Sequence, residues 1–290
     1  MDIEWSRVLL AFFCGYFLTL SGSLSQIVTN NKIASSSTLG FDGLGVLMIL
    51  GAQFLITFVG FEYPLEHLSF SLFILVFIII AFGTRRFFKL NTAQSLSRSM
   101  QKVILIGLGF NLFIGGIFSV IQFLFIAINY EFPTGIWFGN FKFYDDSTLY
   151  LFILFFIITQ AYIIKSSSSF NFLALGNNFA AGLGIDVTKI VRHSLLISLF
   201  LTGLVVSYFG VFSFIGLIFP HILRTLRPFK YSMRNEVLYG PFFTGALLSA
   251  IDFICYNSPF FGAEIPVGMV CSVMGSFVLL TILIKRQSIK

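Results

Sequence analysis

Charge is scarce in this chain: Asp, Glu, Lys and Arg make up 10% of 290 residues, against 57% hydrophobic residues and a mean hydropathy of +0.94. Soluble domains carry about 25% charged residues, so a water-facing shell cannot be assembled here and a soluble enzyme is excluded. Cysteine is scarce as well. Cys14, Cys255 and Cys271 are odd in number and lie inside apolar runs, which excludes a disulfide framework and fits a packing role. No Gly-x-x-x-x-Gly-Lys-Ser/Thr loop occurs, so the chain is not expected to hydrolyse ATP by a P-loop mechanism. His67, His193 and His221 are scattered, and no His/Cys/Glu grouping has metal-ligand spacing, so neither a metal site nor a cofactor is expected. No nucleophile and base stand at useful spacing, which leaves no catalytic residues to name.

What the chain has in excess is Phe, 40 of them, together with Leu and Ile. A membrane crossing takes about 20 mainly apolar residues. Runs with little or no charge occupy 8–29, 43–61, 69–84, 103–129, 147–164, 193–223, 237–263 and 265–284. Lipid offers no hydrogen bonds to the backbone, so these runs are expected to be helices, and the short alternating segments of a membrane barrel are absent. The fold class is all-α: a polytopic helical membrane protein with one transmembrane domain over residues 1–290. The first run has acids ahead of it and is too long for a cleavable signal, so it reads as a retained span.

The run from His193 to Leu223 is long for one helix and short for two. A single crossing would put Lys189 and Arg192 on one face and Arg224, Arg227, Lys230 and Arg234 on the other, against the positive-inside bias. A break near Gly210 gives two spans, the second short and bent at Pro220, and returns both clusters to one side. About nine spans result. All of the 18 Lys and Arg except Arg7 and Lys142 then fall inside, while Asp2, Glu4, Glu62, Glu66, Glu131, Asp145, Asp146 and Glu264 fall outside. The expected topology has the N-terminus outside and the C-terminus cytoplasmic. The net charge of +6 reads as topology plus attraction to anionic membrane lipid, with no nucleic-acid partner.

Gly22-Ser23 and the series Gly40, Gly43, Gly45 place small residues where helices can approach. Asp252 stands out as an acid well inside an apolar run, and such carboxylates are candidates for function because burying them is costly. No Lys or Arg is expected in a neighbouring span as its partner. Two readings stay open, a structural acid bonded near a helix end and the carrier of an ion-coupled secondary transporter.

The connection 165–192 is the longest inner one. It opens on Ser166 to Ser169 and then mixes apolar and small residues through Leu173, Leu175, Gly176, Asn177, Phe179, Ala180, Ala181, Leu183, Gly184 and Ile185. Two short helices broken at Gly176 and at Gly182 to Gly184 fit this pattern. Apolar helix faces on the cytoplasmic side call for a partner protein or, alternatively, for the bilayer surface.

The stretch Phe214 to Ile222 followed by Arg224 resembles the Gly-Leu-Ile-x-Pro-His-Ile-x-Arg signature, here Gly216, Pro220, His221 and Arg224, of the permease subunits of ABC importers for iron-siderophores, cobalamin and haem, the FecCD-type, BtuC-like family. Ser21 and Gly22 to Gln26, then Asn31 to Ala34, resemble the family's Ser-Gly-x-x-x-Gln and Asn-Pro-Leu-Ala. Gly107 with Asn111, and Trp137 to Gly139, are similar to its middle region. Leu173 to Gly176 with Leu183 to Ile185 resembles its coupling loop, and Glu264 to Gly268, with Pro266, resembles the approach to its last span.

The resemblance implies a dimer of permeases around a central pathway, two separate ABC ATPase subunits docked on the inner loops, and an extracytoplasmic substrate-binding protein, all at the cell inner (plasma) membrane. Leu175, Gly176, Asn177, Ala180, Ala181, Leu183, Gly184 and Ile185 would form the ATPase-coupling loop. Gly107, Asn111, Gln26 and Asn31 become candidates for the pathway or the dimer contact. Arg7, matching the family's Leu-Pro-Arg, would meet the binding protein. Ferric siderophore is the favoured cargo, with cobalamin and haem as alternatives. The chain departs from the pattern at Lys32, where Pro is usual, at Asn177, where an acid is common, and at Tyr256, where several relatives carry Arg. It also shows one span fewer than the usual ten, beginning where the family's second span begins.

Overall fold

The computed structural model of the protein describes residues 5–89, 93–127, 138–141, 145–226, 229, 232–258 and 265–287. Of the residues singled out above, Asp2, Glu4, Glu131, Trp137, Lys142, Arg227, Lys230 and Glu264 lie outside that set. Among the described residues ten α-helices follow one another: α1 Trp5–Thr29, α2 Phe41–Phe54, α3 Leu65–Lys89, α4 Ala93–Ala127, α5 Asp146–Ala174, α6 Asn177–Gly182, α7 Val187–Phe209, α8 Ile215–Leu223, α9 Met233–Asn257 and α10 Val267–Gln287. A π-helical turn, Leu55–Val59, prolongs α2 and ends at Gly60, which is left-handed at φ 76°.

Seven of these are long and apolar enough to cross a membrane: α1, α2 with its π-turn, α3, α4, α5, α7 and α9. Helix α10 contributes a shorter apolar stretch, Val267–Thr281, and α8 has nine residues. The expected break near Gly210 is present. Helix α7 stops at Phe209, Gly210 takes φ 81° and ψ −166°, which an L side chain resists, and α8 restarts after Phe214.

Helix starts are set by short polar side chains, as orphan N–H groups require. Asp145 accepts from the Thr148 N–H before α5, Asp186 from the Lys189 N–H before α7, and Ser232 from the Asn235 N–H before α9. Helix α1 is the axis of the bundle. It is buried along almost all of its length and packs on α5, α7, α8 and α9. Its closest neighbour is α9, because Gly15 faces Thr244, Gly245 and Leu248, and Gly245 faces the Phe12 backbone. Helices α3, α4 and α10, by contrast, expose much of their apolar surface. That is the distribution expected where lipid or a second protein is the solvent.

Candidate functional site

Two helices of the bundle begin in its interior. The chain leaves α1 at Thr29, turns through Asn30 to Gly40 and starts α2 beside the middle of α4. Asn111, one turn beyond Gly107, organises this start: its Oδ1 accepts from the Gly43 N–H at 2.7 Å, and its Nδ2 donates to the Ser37 carbonyl. A Cβ on Gly107 would collide with the Leu39 backbone, and one on Gly40 with Gly107 itself. Gly40 also has φ 83°, so both closeness and conformation demand glycine there. Ser37 Oγ donates to the Asp42 carboxylate in the first turn of α2, where a negative charge meets the positive helix end.

The second interior start is α8, preceded by Phe214 at φ 68°. It packs on the C-terminal half of α1. A Cβ on Gly22 would overlap the Gly216 carbonyl oxygen and carbon. The signature explains this contact. Pro220 has no N–H to offer the carbonyl four residues back, which is that of Gly216, and that same carbonyl lies against Gly22. One turn along α1, Gln26 Nε2 donates to the Leu217 carbonyl at 3.1 Å, and Gln26 Oε1 accepts from Arg224 Nη1 at 2.8 Å. Arg224 makes a fork with Glu236 on α9, at 2.6 and 2.8 Å, and the Glu236 side chain is fully buried. The two resembling motifs, Ser-Gly-x-x-x-Gln and Gly-x-x-x-Pro-His-x-x-Arg, are thus two sides of one joint. Ser21 closes it: its hydroxyl donates to the Ser198 carbonyl at 3.0 Å and lies within 3.0 Å of Ser36 Oγ and 2.9 Å of Thr202 Oγ1.

Between the two interior helix starts lies a small cavity lined by Ser35, Ser36, Ser37, Asp42, Phe214 and Gly216, among others. Its lining joins the loop that launches α2 to the first residues of α8. Discontinuous helices meeting near the bilayer midplane are a recurring feature of transporters.

Gly107, Asn111 and Gln26 therefore face inward and position these starts. Asn31 sits apart from Gly107 and Asn111, its Oδ1 accepting from the Ile33 N–H at 3.0 Å in the turn after α1. Pro266 and Gly268 lead into α10, where the Gly268 N–H donates to Gly139 O at 2.8 Å while the Gly139 N–H donates to Val211 O at 2.9 Å. Asp42 and Glu236 escaped the sequence reading, which singled out Asp252. A weak signal was available for Asp42, an acid in a first helical turn framed by Gly40 and Gly43.

At the other end of α1 and α9, about 28 Å from Gln26 at 1.5 Å per residue, one expectation is corrected. Asp252 does have a cationic partner in a neighbouring span: Arg7 Nε meets Asp252 Oδ2 and Arg7 Nη2 meets Oδ1, both at 2.9 Å. Arg7 is correspondingly 6% exposed, and its guanidinium lies over the Tyr256 ring, 4.4 Å from the centroid. The signal was the spacing of α1 and α9, which no single sequence displays. With both Asp252 oxygens engaged, replacing the pair together, Arg7→Met with Asp252→Leu, leaves no lone buried charge. Uptake in proteoliposomes is expected to survive this double change within a few-fold, whereas Asp252→Asn alone removes the carboxylate charge that faces the buried Arg7 guanidinium and lowers the melting temperature. Loss of uptake in a double variant that still folds would restore Asp252 as a carrier.

The connection 165–192 also differs from expectation. Helix α5 continues to Ala174, and one short helix, α6, follows in place of two. Gly176 at φ 118° and Gly184 at φ 79° bracket it. Asn177 and Ala180 are buried, while Leu175, Phe179 and Leu183 are exposed at 68%, 52% and 54%. Just after it, the Asp186 carboxyl is held below the usual carboxylate range, chiefly by the Lys189 backbone N–H. At the opposite end of α7, Asp145 is lowered more strongly, first by the Thr148 hydroxyl, and lies 3.5 Å from His67, whose Nδ1 meets the Tyr208 hydroxyl at 3.0 Å.

Residues 1–285 match the FecCD transport family. The chain belongs to that family. FecCD relatives include the Petrobactin import system permease protein YclO of Bacillus subtilis (strain 168), 25% identical over 75% of this chain and 68% of that protein. The Vitamin B12 import system permease protein BtuC of Vibrio vulnificus (strain CMCP6) is 24% identical over 99% of this chain and 83% of its own. The Iron(3+)-hydroxamate import system permease protein FhuG of Bacillus subtilis (strain 168) is 25% identical with the same coverage. A solved structure of an inward-facing metal-chelate type ABC transporter superposes with a TM-score of 0.75 at 21% identity, covering 98% of this chain and 86% of that one. The shared fold is that of an ABC transporter permease, and the FecCD chain is a membrane-spanning transport permease of the ABC importer kind.

Proposed function

We propose that the chain is the membrane subunit of an ATP-driven importer that carries a ferric siderophore inward across the plasma membrane. Two permease copies or paralogues enclose the pathway, two ABC ATPase subunits bind the cytoplasmic face, and an extracytoplasmic binding protein delivers the cargo. The C-terminus is cytoplasmic and the N-terminus outside. The observation that carries this reading is the α6 segment: a short helix at the end of the bundle rich in cations, exposing Phe179 together with Leu175 and Leu183 on its two flanks. Apolar side chains so displayed suit the groove of a partner. Closure of an ATPase pair acting on α6 would move α5 and α7, which flank it, and through Ser198 and Thr202 the Ser21–Gly22 joint. The exposed faces of α4 and α10, with Leu112 and Phe113 on one and Val273 and Phe277 on the other, suit the pathway and the two-fold contact. The siderophore, haem and vitamin B12 permeases among its relatives favour a bulky chelate as cargo, siderophores being the commonest of these.

Gly184→Glu or Phe179→Asp is expected to reduce co-purifying ATPase by about tenfold or more, as loss of an interface anchor does, while the permease still elutes as a folded species. Gly184 has open space around it, so the glutamate meets strain at φ 79° but no collision. Unchanged co-purification of both variants would count against α6 as the docking element. For the cargo, the reconstituted importer is expected to take up a ferric hydroxamate in preference to haem or cobalamin, and a reversed preference would reassign it.

A further inference from the structure

Helix α3 packs on α2 and α7, and α4 packs on α2, but among the described residues α3 and α4, although consecutive in the chain, are not closely packed on one another. The space between them is a cavity of about 240 Å³, backed by α7. Its walls are Phe41, Ile80, Met100, Val103, Leu196 and Leu199, with Thr84 and Arg192 at one end. The Thr84 hydroxyl is already used, donating to the Ala81 carbonyl at 3.0 Å. The lining is thus apolar, and a cavity of this kind holds water poorly.

Arg192 is the exception. Its Nη2 lies 3.0 Å from His193 Nε2, and because a guanidinium only donates, that ring nitrogen accepts. Its Nε is buried with no hydrogen-bond partner. A buried guanidinium donor without an acceptor is costly, and the acid nearest in sequence, Asp186, is occupied by the Lys189 N–H and the Thr188 hydroxyl. Further cations stand at the same end: Arg85 follows Thr84, Lys102 precedes Val103, and Lys189 precedes Arg192 by one turn. Among the described residues no carboxylate forms an ion pair with any of the four. An apolar slot between membrane helices, closed at one end by an unsatisfied guanidinium among other cations, matches a molecule with a hydrocarbon tail and an anionic head.

We propose that the groove between α3 and α4 is a binding site for an anionic phospholipid, one acyl chain filling the cavity and the phosphate accepting from Arg192. Arginine suits phosphate because its donors form a planar fork. A zwitterionic headgroup would bring its own cation into a cluster of four. The lipid would wedge α3 apart from α4 and hold α7 beside the α6 segment. Its place in the inner leaflet rests on the orientation proposed above, but the existence of the site does not.

Native mass spectrometry of the detergent-purified chain, supplied with phosphatidylglycerol or phosphatidylcholine, tests this. Wild type is expected to retain one phosphatidylglycerol under activation that strips phosphatidylcholine, a preference of about tenfold, the size of one charge-assisted hydrogen bond. Val103→Trp, which fills the cavity, is expected to lose the retained lipid, whereas Ile157→Trp on the exposed face of α5 keeps it. Arg192→Gln is expected to bind the two lipids equally. Should Val103→Trp fail to fold, the Arg192→Gln comparison still decides. Equal retention of both lipids by wild type, or an undiminished preference in Arg192→Gln, would overturn the proposal. So would displacement by glycerol 3-phosphate alone, which carries the phosphate without the tails.

Discussion

Gly22→Ala is expected to leave little or no folded permease. The added methyl would fall within the Gly216 carbonyl group, and neither element can step back freely. Gly22 lies in the most buried helix of the bundle, which the Ser21 hydroxyl ties to α7, and the turn of α8 that carries Gly216 is held to it by Gln26 on the Leu217 carbonyl. Overpacking a core with a flexible side chain as the obstacle costs about 1–3 kcal/mol. Here the obstacle is backbone, so the cost should reach or exceed the upper end of that range, a large part of the stability of an ordinary domain. The controls are Gly109→Ala and Gly116→Ala on α4, where a Cβ meets nothing within 4 Å. These should be neutral or stabilise by about 0.4–1 kcal/mol through the unfolded chain. Thermal unfolding of the three variants in detergent, followed by size-exclusion chromatography, makes the comparison. A Gly22→Ala protein as stable as Gly109→Ala would mean that α1 and α8 are not in contact as described.

Arg224→Ala should destabilise the permease by about 3–5 kcal/mol, because it leaves a carboxylate buried without a counter-charge. The Arg224 side chain is 13% exposed and that of Glu236 is at 0%, so solvent screens the pair little. Removal of the arginine also frees Gln26 Oε1. The companion change is the informative one. Arg224→Met with Glu236→Leu removes both charges, and most of the lost stability should return, since a buried pair contributes little beyond an apolar replacement. If function demands only the joint, the double variant should also transport. A folded double variant without uptake would show that the Arg224 charge itself takes part in the transport cycle. Arg224→Lys should recover only part of the loss, because an ammonium cannot make the two parallel bonds to Glu236 while reaching Gln26.

The sequence made the crossings legible because lipid imposes a single rule, that backbone groups be satisfied within a helix. The break at Gly210 was readable from charge alone, Lys189 and Arg192 needing to share a face with Arg224. Partners across helices were not readable, and Asp252 shows why. Its cation, Arg7, is 245 positions away, and only the close approach of α1 and α9 through Gly15 and Gly245 joins them. Gly107 and Asn111 stand out in the sequence as a pair and as candidates for the pathway or the dimer contact, but their contact with the loop that starts α2 is not readable there. Periodicity marks them as one helix face, yet it does not name the loop against which that face packs. Asp42 was overlooked because it borders an apolar run, and the interior start of α2, which makes that border buried, is a tertiary fact. The extent of α5 was hidden by the serines at 166–169, poor helix formers that the packing of Ser167, Phe170 and Leu173 overrides.

The central claim is that α6 faces the compartment that holds ATP. Ala181→Cys puts a thiol on its exposed side, and the native Cys14, Cys255 and Cys271 are buried and should stay silent. Membrane-impermeant maleimide applied to right-side-out and inside-out vesicles reads its side directly. The account predicts labelling in inside-out vesicles alone, reduced when the ATPase is bound; labelling in right-side-out vesicles would contradict it.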